Sequence, residues 1–206
     1  MFKNKERIPM VFAAVFVMGF FVSIIVMCNL GTDPCTFMNR SICSRIGMSF
    51  GNWQLLLNCI LFIIVYRKAK DLIGFGTIFN MVLIGYYVDF FMYVWNKIIP
   101  KAAWTNPVSR WIIYIVALFC FIVSAAVYIN SDTGVAPYDA MPIIIANAIE
   151  EKTGNSHRVG VRICWDACAI LMGILFGSIP VIGVILMTIF LGPVIGMVGK
   201  IMGNEG

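Results

Sequence analysis

Two stretches decide the fold of this chain: Gly31-Thr32-Asp33-Pro34 and, 103 residues later, Gly134-Val135-Ala136-Pro137. They belong to a longer match between residues 7–95 and 110–202, which requires one four-residue insertion near residues 150–153. Glycine and proline are the residues least replaceable where the backbone conformation is special. Their recurrence in step therefore predicts two copies of one structural unit.

The composition indicates an integral membrane protein. The 206 residues are 61% hydrophobic and 12% charged, which is more apolar surface than a soluble domain of this length could bury. Crossing a bilayer takes roughly 20 apolar residues, and six stretches are predicted as spanning helices: 8–30, 48–66, 72–95, 111–129, 163–176 and 179–198. Helices are favoured over barrel strands because these stretches are long and evenly apolar. The first stretch is interpreted as a retained helix rather than a signal peptide.

A shorter segment follows the first span of each half, at residues 33–47 and 136–150. A proline opens each segment, Asp33 stands where it would cap the first, and Asp139 falls in the opening turn of the second. About 13 helical residues reach only ~20 Å, well short of the hydrocarbon thickness. Each segment is therefore predicted as a half-helix that dips into the membrane from a Gly-x-x-Pro turn. Two helices lying flat on opposite membrane surfaces are the alternative.

The predicted fold is an all-α polytopic membrane protein with two inverted-topology repeats, each of three transmembrane helices and one short half-helix. Repeat one covers 7–95, a linker covers 96–109 and repeat two covers 110–202, all within one membrane domain, 1–206. Basic residues near the N-terminus and at 67–70 predict cytoplasmic N- and C-termini. In an alternative, parallel arrangement the short segments are full spans. It fits the Lys and Arg count better but needs spans of about 13 residues, one of them with two arginines.

Glycine motifs spread over both halves carry a resemblance to a family. The first half contains Gly31-Thr32-Asp33-Pro34, Gly47-Met48-Ser49-Phe50-Gly51 and Gly74-Phe75-Gly76-Thr77, and the second contains Gly134-Val135-Ala136-Pro137-Tyr138-Asp139, Gly154-Asn155-Ser156 and Leu191-Gly192-Pro193. Over nearly its whole length the chain resembles the YczE/YyaS/YitT group of bacterial membrane proteins, and is most similar to the YczE-like branch. The resemblance implies a location in the bacterial inner membrane and names no substrate.

The paired turns are the predicted substrate-binding site. Bare helix N-termini attract anions, but an Asp near each one favours a cation, a proton or an amine-bearing solute instead. Hydroxyl groups nearby add hydrogen-bonding capacity. The predicted binding residues are Gly31, Thr32, Asp33, Pro34, Thr36, Gly134, Pro137, Tyr138 and Asp139. The competing interpretation is that Asp33 and Asp139 only cap their helices.

Ionisable residues inside predicted spans are further candidates, because they are costly to place in a membrane. Arg162 and Asp166 are four residues apart, so they share a helix face and can form an ion pair that is either structural or used in coupling. Asp89 lies past the middle of its span and is also a candidate for a coupling or structural ion pair. The alternative is that Asp89 simply lies at the outer membrane interface.

Several classes of function are disfavoured by the residues present. Most of the seven cysteines lie in apolar helices without a Cys-x-x-Cys pair or a His cluster, so no metal site, cofactor or enzymatic activity is predicted. No nucleic-acid partner is predicted, and a homodimer is a further hypothesis. The favoured function is transport or channel activity for an unknown small solute, cation or proton. The alternative is a non-transporting accessory or regulatory membrane protein that acts through a charged loop at 131–160.

Overall fold

The computed structural model describes residues 4–155, 157–184, 187, 194, 197–198 and 200–202. Short 3₁₀ turns precede two of its helices, at Lys5–Arg7 and Lys70–Leu72. The α-helices in chain order are α1 (Ile8–Cys28), α2 (Pro34–Ile46), α3 (Phe50–Lys68), α4 (Phe75–Ile98), α5 (Lys101–Thr105), α6 (Pro107–Asn130), α7 (Pro137–Thr153) and α8 (Arg158–Leu175). The described residues contain no strand, so the predicted all-α class is confirmed.

Four of the described helices, α1, α3, α4 and α6, are long and apolar enough to cross a membrane. They coincide with the first four predicted spans. The fifth predicted span corresponds to α8, which begins earlier than predicted and carries Arg158, Arg162 and Asp166 within 18 residues. The sixth predicted span, 179–198, lies largely outside the described residues, as do the predicted motif residues Ser156 and 191–193.

The starts of the two short helices follow from their local sequence. Pro34 stands in the first turn of α2, and the Asp33 side chain caps it by accepting a hydrogen bond from the Thr36 amide. Pro137 begins α7, but Ala136 at the capping position offers no side-chain oxygen. Asp139 lies in the first turn of α7, as predicted. Both short helices are therefore present where the sequence predicts them.

The second short helix is longer than the first by the length of the insertion. α2 contains 13 residues and α7 contains 17, and each ends on a glycine with a positive φ angle, Gly47 or Gly154. The four extra residues of the second half, near 150–153, form the last turn of α7. The predicted 136–150 segment is thus too short at its C-terminal end, because the insertion extends the helix.

α1 and α6 lie side by side and antiparallel at the centre of the fold. Arg7, just before α1, donates to the Ser131 carbonyl at the end of α6, and Arg110 in α6 donates to the carbonyls of Cys28 and Asn29 at the end of α1. Their packed faces are buried, with Val11, Val15, Ile25, Tyr114, Ala117 and Ala126 among the residues that are fully covered. The two helices are thereby fixed to each other at both ends.

The two halves also exchange backbone hydrogen bonds. The Gly183 amide donates to the Leu30 carbonyl at 2.9 Å, and the Gly76 amide donates to the Thr133 carbonyl at 2.9 Å. In the repeat alignment Leu30 corresponds to Thr133 and Gly76 to Gly183. Each half therefore supplies the donor for one bond and the acceptor for the other. Helix packing follows the same exchange, since α2 packs on α8 while α7 packs on α3.

The predicted linker 96–109 is mostly helical. α4 continues to Ile98, the short α5 occupies Lys101–Thr105, and α6 begins at Pro107. The Asn106 side chain caps α6 by accepting from the Val108 amide at 3.0 Å. An Asn-Pro pair at a helix start supplies both the capping oxygen and the fixed φ angle, and this signal explains why α6 starts before its apolar run.

Candidate binding site at the starts of the two short helices

Asp33 has one carboxylate oxygen engaged and one without a partner. Oδ2 accepts from the Thr36 amide at 2.9 Å, while Oδ1 is buried and has no hydrogen-bond partner among the described residues. The neighbouring Thr32 hydroxyl donates to the Asp33 carbonyl at 3.3 Å rather than to the carboxylate. A buried carboxylate oxygen without a partner is costly, so a bound proton, cation or water molecule would stabilise it.

A second group of polar side chains joins the start of α7 to the middle of α8. The Arg162 guanidinium contacts Asp139 through Nη1 at 2.7 Å and Asp166 through Nε at 2.9 Å. Tyr138 is buried, and its hydroxyl donates to the other oxygen of Asp166 at 3.1 Å. The Arg162–Asp166 pair that i,i+4 spacing predicts is thus present. Arg162 also bridges α8 to α7, which fixes the first turn of the second short helix.

The Asp33 carboxylate lies within electrostatic range of the Asp139 and Asp166 carboxylates. Asp33 at the start of α2, Asp139 in the first turn of α7 and Asp166 in the middle of α8 therefore provide three carboxylates. Arg162 is the arginine paired with the last two of them. We call these four residues together with Tyr138 the carboxylate cluster. When all its acidic groups are ionised, its formal charge is negative. A cluster of this sign attracts cations and protons and repels anions.

The two turns that precede these helices do not pack on each other. Gly31 lies against the backbone of Gly183, and Gly134 lies against the backbone of Gly74. Both turn glycines have positive φ angles, +116° and +108°. Among the predicted binding residues, these glycines thus hold the halves together, while the Asp33 and Asp139 carboxylates lie within electrostatic range of each other.

The remaining predicted residues occupy supporting positions. Pro34 and Pro137 stand in the first turns of their helices, and Thr36 contributes its amide to the Asp33 cap. Asp89 lies apart from the carboxylate cluster and accepts a hydrogen bond from the Gly51 amide at 2.8 Å, at the start of α3. The structure does not bring Asp89 together with Arg162 and Asp166.

One contact of the cluster was not predicted. The Arg162–Asp139 pair joins residues 23 apart, on two different helices, so no helix periodicity indicates it. The sequence contains only a weaker indication of the cluster. Two of its acidic residues open the short segments, and the third lies with the arginine at the fifth predicted span. Among the described residues no group of His, Cys, Asp and Glu could hold a metal ion.

The comparisons with known proteins agree with a membrane protein. Residues 5–200 match the model of DUF6198, a family of unknown function. An uncharacterized protein of Haemophilus influenzae is 23% identical over 190 residues, which make up 92% of this chain and 82% of the relative. The uncharacterized membrane protein YczE of Bacillus subtilis is 27% identical over 69% of this chain, and the uncharacterized protein YyaS of the same organism is 26% identical over 60%. No solved structure matches.

The matches span 62% of YczE and 60% of YyaS, less than two thirds of either. They confirm the predicted resemblance to YczE and YyaS, which rested on glycine motifs in both halves. The family match extends over nearly the whole chain and includes both short helices and the carboxylate cluster. This membrane protein therefore belongs to the DUF6198 family, a family of unknown function.

Proposed function

We propose that the protein is a small transporter or channel whose substrate, a proton, a cation or an amine-bearing solute, binds at the carboxylate cluster. The observation that carries this proposal is the buried Oδ1 atom of Asp33, which has no partner among the described residues and lies in electrostatic range of two further carboxylates. In a membrane protein such groups are costly to maintain unless a ligand or proton neutralises them. The same reasoning disfavours an anionic substrate at this position.

The crossed contacts support the inverted-repeat arrangement that this proposal uses. α1 and α6 are the first helices of the two repeats, and the arginine contacts at both of their ends require them to run in opposite directions. The exchanged Gly183–Leu30 and Gly76–Thr133 bonds are the pattern expected of two halves related by an approximate two-fold operation. Transporters with inverted repeats bind substrate where the repeats meet and expose it alternately to the two sides. The carboxylate cluster combines residues of both repeats, as such a mechanism needs.

Flux through proteoliposomes tests the proposal. Asp33→Asn and Asp139→Asn are each expected to lower proton or amine uptake by about tenfold or more, because each removes one negative charge from the cluster. Asp139→Asn leaves Arg162 paired with Asp166. The matched control is Asp71→Asn, at an exposed position in the 3₁₀ turn before α4, which should leave flux unchanged.

Wild-type protein that gives only leak-level flux for protons and for a broad panel of amines would refute transport. Normal flux in both cluster variants would refute the assigned site. The predicted 131–160 loop is largely the helix α7, so in the accessory-protein alternative contacts would use the exposed end of α7, where Glu151 and Lys152 face solvent. That alternative expects cluster variants to keep full activity of the partner system.

The topology of the chain gives an independent prediction. Lys68 is the last residue of α3. The chain just after it, at Leu72, is hydrogen-bonded to Val135, which follows the end of α6. Ser178, in contrast, lines a cavity together with Asn29, at the end of α1. Since α1 and α6 are antiparallel, these positions lie at opposite ends of the fold. We expect Lys68→Cys to react with a membrane-impermeant maleimide from the cytoplasmic side and Ser178→Cys from the opposite side, in a protein whose seven native cysteines are replaced. Labelling of both from one side would contradict the inverted repeats.

The proposal also includes the cellular location of the protein and the side of the membrane on which its termini lie. Lys68 and the N-terminal Arg7 lie at the same end of the fold, which we assign to the cytoplasm of a bacterial inner membrane. We propose the same side for the C-terminus. A homodimer and the absence of enzymatic activity stay predictions.

A further inference from the structure

A polar cavity lies at the end of α1, away from the basic N-terminal end of the fold. Its volume is about 430 Å³, and its polar lining comes from Asn29, Thr32, Arg40, Ser44 and Ser178. Arg40 and Ser44 also line a smaller cavity of about 210 Å³, together with Asp89. We call the larger space the Arg40 cavity. It contains hydroxyl and amide groups but no carboxylate among its described lining residues.

Arg40 differs from Arg162 in its surroundings. Arg162 pairs with two carboxylates, whereas the half-buried Arg40 guanidinium forms no hydrogen bond or ion pair with the described residues. The Asp89 carboxylate in the smaller cavity is farther than ion-pair distance and already accepts from the Gly51 amide. A half-buried arginine in a membrane protein is expected to have an anionic partner, because its desolvation is otherwise uncompensated.

A second positive charge lies beside the same cavity. The Arg110 guanidinium donates to the carbonyls of Cys28 and Asn29, and Asn29 lines the cavity. Its contacts there are neutral carbonyls, so its charge is not cancelled by a described acidic residue. The hydroxyls of Ser44 and Ser178 and the amide of Asn29 can donate hydrogen bonds to a bound oxyanion. The cavity therefore has the charge and the donors that a phosphate group requires.

We propose that the Arg40 cavity binds a phosphate group, presented either by a soluble anion or by an anionic lipid headgroup. The planar guanidinium of Arg40 holds two phosphate oxygens, and the neutral donors around it hold the others. The Arg40 cavity shares no residue with the carboxylate cluster, although its lining residue Thr32 directly precedes Asp33. The two sites have opposite charge preferences, and the existence of the phosphate site does not depend on the transport proposal.

Binding to the full-length protein in neutral detergent tests the site. The probes are inorganic phosphate at constant ionic strength and short-chain phosphatidylglycerol, with short-chain phosphatidylcholine as the net-neutral lipid, and saturable shifts of the melting temperature report binding. Arg40→Gln is expected to weaken binding about tenfold or more. Arg45→Gln is the matched control, because Arg45 belongs to the same helix but is exposed, and its affinity should stay within about twofold.

The two probes distinguish a soluble anion from a lipid headgroup as the source of the phosphate group. The variants distinguish a bound phosphate from an internal Arg40–Asp89 pair. Saturable binding of phosphate supports a soluble anion, and binding of phosphatidylglycerol alone supports a lipid headgroup. If Arg40 and Asp89 were instead an internal pair joined by water, wild type would bind neither probe, and Arg40→Gln and Asp89→Asn would lower the melting temperature equally. That result overturns the proposal, as does an equal loss of binding in Arg45→Gln. A bound anion predicts tighter binding in Asp89→Asn.

A second variant tests the site independently, in case Arg40→Gln does not fold. Ser178→Asp changes a half-buried residue between α8 and the last part of the chain and leaves Arg40 in place. The added carboxylate repels an anion in the same cavity, so binding should weaken about tenfold or more. Unchanged binding of both probes in Ser178→Asp would overturn the proposal even if Arg40→Gln cannot be purified.

Discussion

Gly134→Ala is expected to lower the free energy of unfolding by about 3–4 kcal/mol. Two physical costs add at this position. The φ angle of +108° is unfavourable for an L-residue, and a new Cβ atom would lie 2.7 Å from the Gly74 Cα atom. Backbone cannot rotate away as a side chain can, so relief requires the two halves to separate. Thermal or denaturant unfolding in detergent, followed by tryptophan fluorescence, measures the loss.

Gly154→Ala is the matched control for this prediction. Gly154 also has a positive φ angle, +70°, but a Cβ atom there would meet no atom within 4 Å. It should therefore cost only the conformational strain, about 1 kcal/mol. The first half offers the same pair, since Gly31 packs on Gly183 and Gly47 faces open space. Equal losses for Gly134→Ala and Gly154→Ala would show that the crossed backbone contacts contribute little to stability.

Arg162→Gln should be the second large effect, with a loss of about 2–4 kcal/mol. The substitution leaves Asp139 and Asp166 without their shared counter-ion, and Asp166 is buried with a side chain only 12% exposed. The estimate is at the lower part of the range for buried pairs because the Arg162 side chain is 39% exposed. Arg158→Gln on the same helix is the control. Its pair with Glu150 is long, at 3.8 Å, and exposed, so its loss should be below about 0.5 kcal/mol.

Combined variants distinguish charge imbalance from lost packing. In Arg162→Gln with Asp139→Asn and Asp166→Asn, all three charges of the two ion pairs are removed together, and we expect stability to return to within about 1 kcal/mol of wild type. A triple variant as unstable as Arg162→Gln would mean that the Arg162 side chain acts mainly through its contacts with neighbouring rings, such as that of Tyr138. If the triple variant is as stable as expected, it can also be used in the flux measurements.

Local signals predicted the elements of the fold well. Asp33-Pro34 specified the start of α2 because a capping carboxylate and a fixed φ angle act within one turn of helix. Asn106-Pro107 contains the same information for α6, whereas the apolar stretch alone predicts a start at residue 111. The alignment places the four-residue insertion near 150–153, but it does not indicate that these residues extend α7 by one exposed turn.

Contacts between halves were not accessible to the same reasoning. The i,i+4 rule found Arg162–Asp166 but cannot find Arg162–Asp139, which depends on how α7 packs against α8. The matched glycines indicated close backbone approach without naming partners, and Gly31 and Gly134 pack on the other half rather than on each other. The sequence does not indicate a binding role for Arg40, because that role depends on Arg40 having no paired carboxylate, which only three-dimensional distances reveal.

The exchanged hydrogen bonds have a consequence for biosynthesis. The Leu30 carbonyl obtains its Gly183 donor only after most of the chain has been translated, and the Thr133 carbonyl completes the bond with Gly76 from the earlier half. The N-terminal half thus enters the bilayer with an acceptor, the Leu30 carbonyl, and a donor, the Gly76 amide, that it cannot satisfy by itself. Newly made first halves should therefore be short-lived substrates for membrane proteases. Expressing 1–106 and 107–206 as two separate polypeptides in one cell should protect both.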